Sequence, residues 1–85
     1  MPYIQKQHRD ALQTGKEPNN PGELNYLITS LLKEYTDVKG LSYQTINDVL
    51  GALEGAKAEY YRRVAVPYEN GKLELNGDVY ESEKV

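Results

Sequence analysis

The sequence holds no cysteine, no tryptophan, no phenylalanine and a single histidine, His8, among its 85 residues. Without cysteine there is no disulfide framework, no thiolate metal site and no cysteine nucleophile. One histidine excludes the multi-histidine zinc patterns. The longest apolar runs are three residues, such as Tyr26-Leu27-Ile28. Neither a signal peptide nor a membrane helix can be built from runs that short, so no membrane partner is expected and the expected compartment is the cytoplasm. Basic charge is also scarce: 10 Lys and Arg face 13 Asp and Glu, for a net charge of −3. An acidic chain repels the polyanion it would have to neutralise, so nucleic acid is not an expected partner.

What remains is enough for one small domain over residues 1–85, near the lower limit of independent folding. Its 20 aliphatic residues and 8 tyrosines make a thin core. A homo-oligomer that shares its core between copies is therefore expected. The charge is uneven. Residues 1–65 are neutral, whereas residues 66–85 carry Glu69, Glu74, Asp78, Glu81 and Glu83 against Lys72 and Lys84.

Residues 1–19 form an N-terminal segment with a short, weakly amphipathic helix and a turn-rich loop from Gly15 to Pro21. A helical hairpin is expected over residues 20–66. Asn20 can cap, Pro21 suits the first helical position, and Glu23 stands where a capping-box acid belongs. Leu24, Leu27, Ile28, Leu31, Leu32, Tyr35 and Val38 follow at helical spacing, and Gly40 supplies a stop. Ser42 offers the next cap. Ile46, Val49, Leu50, Leu53, Tyr60 and Val64 then make a second apolar face, ending at the Val66-Pro67 junction. The short joint between the two implies an antiparallel αα-hairpin.

Over residues 67–80 the pattern changes. Lys72-Leu73-Glu74-Leu75 alternates, and Asn76-Gly77 leads into Asp78-Val79-Tyr80. An Asn-Gly pair between alternating runs signals a two-stranded β-hairpin. Residues 81–85 are expected to be a flexible tail. The fold class is thus mainly α: a short N-terminal helix, a hairpin of two long helices and a C-terminal β-ribbon.

No nucleophile elbow, phosphate-cradling glycine loop or carboxylate pair at hydrolytic spacing is present. No cofactor is implied. The densest functional cluster is Glu59-Tyr60-Tyr61-Arg62-Arg63, followed by Pro67-Tyr68-Glu69. Arginine near a helix C-terminus matches the dipole and needs no further role. The sharper reading is an anion site, in which Lys57, Tyr61, Arg62, Arg63 and Tyr68 grip a phosphate and stack on a base. Gln44, Asn47 and Asp48 are either first-turn polarity or amide groups that read a ligand edge. His8 reads as an exposed residue unless a carboxylate orients it in a cleft. Gly51 and Gly55, with Ala52, Ala56 and Ala58, form a small-residue stripe. It suits close packing of the hairpin partner, close approach of another subunit, or a ligand pressed on bare backbone. Each glycine costs about 1 kcal/mol relative to alanine, so something has to compensate.

The segments Asn20-Pro21-Gly22-Glu23-Leu24-Asn25-Tyr26, Tyr43-Gln44-Thr45-Ile46-Asn47-Asp48, Glu59-Tyr60-Tyr61-Arg62-Arg63 with Pro67-Tyr68-Glu69, and Asn76-Gly77-Asp78-Val79-Tyr80 resemble a small uncharacterised family of bacteriophages and bacteria. The resemblance runs from Pro2-Tyr3-Ile4 to Tyr80. It implies a short phage-type accessory protein and transfers no catalytic or binding residue.

Two functions are weighed on this basis. The first is a non-enzymatic binding protein that sequesters an anionic small molecule, such as a nucleotide immune signal. The second is an inhibitor or adaptor that binds a host protein through the acidic C-terminal ribbon. A small hydrolase using His8 or a carboxylate ranks below both.

Overall fold

The computed structural model describes residues 3–80, and every regular element among them is helical. Helix α1 spans Lys6–Gln13, α2 Pro21–Lys39 and α3 Tyr43–Tyr60. A π-helical turn over Tyr61–Ala65 follows α3 directly and passes directly into α4, Val66–Asn76. The chain forms two units, Met1–Val49 and Leu50–Val85, and the boundary falls inside α3.

In the first unit the packed pair is α1 on α2. Helix α2 begins where its capping residues place it. Asn20 Oδ1 accepts the Glu23 N–H at 2.9 Å, and Pro21 occupies the first turn, where its missing N–H costs nothing. It ends at Gly40, whose φ of 88° a side-chain-bearing residue rarely adopts and whose N–H donates to the Thr36 carbonyl. Ser42 caps α3 by accepting the Thr45 N–H at 3.1 Å, and the Thr45 hydroxyl donates to the Gly40 carbonyl at 2.8 Å. Thr45 is buried by this arrangement. The helices on either side of the joint are those expected, but the hairpin packing is not what orders this unit. Helix α2 is held by α1, and it meets the first turns of α3 through one hydrogen bond, from the Tyr35 hydroxyl to Asp48 Oδ2 at 3.2 Å.

The larger correction concerns residues 67–80. The β-ribbon is absent, and no strand occurs among the described residues. Asn70-Gly71 lies inside α4, and Gly77, at φ 87°, caps that helix by donating to the Leu73 carbonyl at 2.9 Å. Four alternating residues satisfy a helix as readily as a strand, and an isolated two-stranded ribbon is marginal in water. A helix closes its backbone hydrogen bonds locally. It also sets Lys72 Nζ over the Tyr68 ring, 5.6 Å from its centre and four residues on. The expected tail, residues 81–85, lies outside the described residues.

Pro67 does not end the helix because the turn before it widens. Proline has no N–H, and its ring conflicts with the carbonyl four residues back. The π turn changes that register: the Val66 N–H donates to the Tyr61 carbonyl, five residues back. Pro67 then occupies the first turn of α4, where proline is tolerated.

A β-carbon added at Gly51 or Gly55 would meet no atom within 4 Å among the described residues. Nothing in their own unit packs against these glycines. Gly51→Ala and Gly55→Ala should each stabilise the helix by about 1 kcal/mol, read as raised denaturation midpoints. A loss of stability or of subunit association in either variant would show that a partner uses the bare backbone.

Candidate functional site

Glu23, at the start of α2, is the one buried charged side chain among the described residues. Its carboxylate turns back over the helix N-terminus, where the dipole favours negative charge. Oε1 accepts the Asn19 N–H at 2.9 Å and a proton of Lys16 Nζ at 3.0 Å. His8 Nδ1 of α1 lies 3.9 Å from Oε2, beyond hydrogen-bond length. Glu23 is only 4% exposed, whereas Lys16 and His8 reach solvent. The Asn19 N–H first, and the Lys16 ammonium after it, hold the Glu23 carboxyl below the ordinary value of 4.5. Such a group is a poor general base near neutrality, since a base works best with its pKa near the working pH. Its geometry is that of an anchor tying the loop at Lys16 and Asn19 to the start of α2.

Next to it, Gln13 at the end of α1 donates from Nε2 to the Tyr26 hydroxyl at 3.0 Å and to Ser30 Oγ at 3.3 Å. Gln13, and after it Ser30, hold the Tyr26 phenol below its ordinary value of 10.0. Partial burial, and then the Asp48 carboxylate that accepts its proton, push Tyr35 the other way. Gln13, Tyr26, Thr29, Ser30, Lys33, Glu34 and Asp37 line an open depression of about 470 Å³. Its one cation, Lys33, lies 3.7 Å from Asp37. All buried side-chain nitrogens and oxygens among the described residues have a partner.

The residues singled out from the sequence lie elsewhere, and all are exposed. In the first unit Gln44 donates to Asp48 Oδ1 at 2.8 Å, so this polar pair is engaged on its own helix, with Asn47 beside it. In the second unit Lys57 lies 4.0 Å from Glu54 Oε1. Arg62 donates to Glu59 Oε2 at 2.7 Å, and Arg63 has no ion-pair partner among the described residues. Both arginines and Tyr61 belong to the π turn, and Tyr68 is on α4 beneath Lys72. Among the described residues, no group of three His, Asp or Glu side chains is placed to hold a metal ion. No helix among them is long and apolar enough to cross a membrane.

Sequence reading passed over the anchor itself. Asn20 and Glu23 were legible as a cap, but nothing in their spacing shows that Glu23 extends to Asn19, Lys16 and His8. Those contacts depend on the fold of the Gly15–Pro18 loop.

Fold and site together define a small helical protein whose buried carboxylate ties α2 to the loop before it, with exposed hydrogen bonds from Gln13 joining α1 to α2. The chain belongs to the family described as Domain of unknown function (DUF6899), whose model matches residues 1–79. No curated protein and no solved structure matches the chain.

Proposed function

We propose that the chain is a non-enzymatic binding module that works as a homo-oligomer, its apolar helix faces covered by further copies of itself. One observation carries this reading. Helix α1 covers the polar side of α2, where Glu23, Tyr26 and Ser30 sit, and leaves the apolar stripe of α2 open. Leu31 on that stripe is 68% exposed and Val38 78%. Leu12 is the only buried apolar residue among those described. Contiguous apolar surface on a soluble chain marks an interaction site.

A second reading concerns what the oligomer holds. Arg63, without an acidic partner among the described residues, in a stretch that also carries Arg62, Lys57 and the exposed rings of Tyr61 and Tyr68, favours an anionic small molecule such as a nucleotide. The bacteriophage setting suggested by the motifs belongs to this proposal. A protein partner recognised through a β-ribbon does not, because the acidic residues Glu69 and Glu74 lie on α4.

Native mass spectrometry of gently purified protein tests both readings. Two or more subunits are expected, with a retained mass of nucleotide size that disappears in the Arg62→Ala/Arg63→Ala variant. A monomer at all concentrations sinks the oligomer. A retained mass that survives the double substitution sinks the arginine site.

A further inference from the structure

We infer that α2 pairs with α2 of a second copy as a parallel, in-register two-stranded coiled coil. The inference rests on the self-association proposed above and names the surface and its geometry. The exposed residues Leu24, Ile28, Leu31, Tyr35 and Val38 recur at steps of four, three, four and three. That is the 3.5-residue repeat of a coiled-coil seam, with Leu24, Leu31 and Val38 at d and Ile28 and Tyr35 at a. Glu23, Tyr26 and Ser30, which face α1, lie on average about 120° around the helix from the centre of this seam. A partner on the seam therefore leaves the α1 contact in place, and it meets α3 where the Tyr35 hydroxyl donates to Asp48.

The residues flanking the seam choose the direction. At the g positions stand Leu27 and Glu34, and at the e positions Asn25, Leu32 and Lys39. In a parallel pair each g residue meets the e residue five positions on in the other chain. Glu34 then meets Lys39 of the second copy, Leu27 meets Leu32, and each pairing occurs twice. An antiparallel pair would instead set Glu34 against Leu27. On its own helix Glu34 is five residues from Lys39, outside the three- and four-residue spacings that bring side chains together. Among the described residues neither has an ion-pair partner, although Lys39 lies over the Tyr35 ring, 5.9 Å from its centre. Branched Ile28 at a, between leucines at d, suits two strands rather than three or four.

The cysteine-free sequence makes the test direct. Val38→Cys and Leu24→Cys are prepared singly, and each is oxidised alone and as an equal mixture with the other. In the parallel pair like residues meet within disulfide range. Each variant alone should then form a covalent dimer, and the mixture should form no disulfide between the two different variants beyond background. A mixed disulfide in that sample, without homodimers of either variant, overturns the register while leaving self-association standing. A chain that is monomeric by mass and forms no cross-link overturns both and leaves the seam to a different protein. Lys39→Glu should weaken self-association about tenfold by setting like charges face to face, and adding Glu34→Lys should restore it. Failure of the double variant to recover would overturn the charge pairing.

Discussion

Leu12→Ala should unfold the first unit more readily than any other single apolar truncation in it. Leu12 is 4% exposed at the joint of α1 and α2, and no other apolar residue among those described is buried to that degree. Burying a leucine and then cutting it to alanine loses its transfer energy and leaves a cavity, together about 2–5 kcal/mol. A unit this small has little reserve against that loss. Denaturant titration followed by circular dichroism should show a lower midpoint and weakened α1. Leu31→Ala, on the open stripe, should leave the stability of the isolated chain nearly unchanged. Equal losses from the two variants at a concentration where the chain is monomeric would mean that α1 is not docked through Leu12.

The second large effect is expected at Glu23 and carries a pH signature. Glu23→Gln removes the charge that Lys16 and the Asn19 N–H stabilise, and Glu23→Ala also empties a buried position. Both should lower the denaturation midpoint more than Asn20→Ala, which removes only the cap. The folded-state pKa of Glu23 lies below the ordinary value of 4.5. As pH falls past that value, the unfolded chain takes up the proton before the folded one does. Protonation therefore favours unfolding. The stabilisation is full above pH 4.5 and is lost as pH falls through the depressed folded value. The wild-type protein should lose stability steeply below pH 4.5, whereas Glu23→Gln should show a flatter profile. Superimposable profiles would mean that the carboxylate is not the anchor.

The boundaries of α2 and the start of α3 were legible because each has a chemical marker: Asn20 and Pro21 start α2, Gly40 stops it, and Ser42 starts α3. The apolar period was legible too, but a period does not say whose surface will cover it. Leu24, Ile28 and Leu31 read as a hairpin face, whereas nothing in their own unit covers them. Beyond Pro67 the local signals competed. Asn70-Gly71 and Asn76-Gly77 are strong turn formers, and Pro67 is a helix breaker. The widened turn at Tyr61–Ala65 absorbs the proline, and helical hydrogen bonding then overrides both turn signals as far as Gly77. The candidate cluster at Arg62 and Arg63 was legible as composition. The pairing of Arg62 with Glu59 needed geometry.

That widened turn also acts as a frameshift in the helical phase. One extra residue in a turn displaces everything downstream by about 100° relative to an uninterrupted count. Leu50, Leu53, Tyr60 and Val64 share a line along the helix, but the line does not carry on into α4. Past the turn its axis passes to Lys72, with Leu73 and Leu75 displaced to opposite sides. A straight helix laid along this stripe would find apolar contact as far as Val64 and then a lysine. The π turn thus acts as a ruler, setting the length of contact that this half of the chain can offer a neighbour.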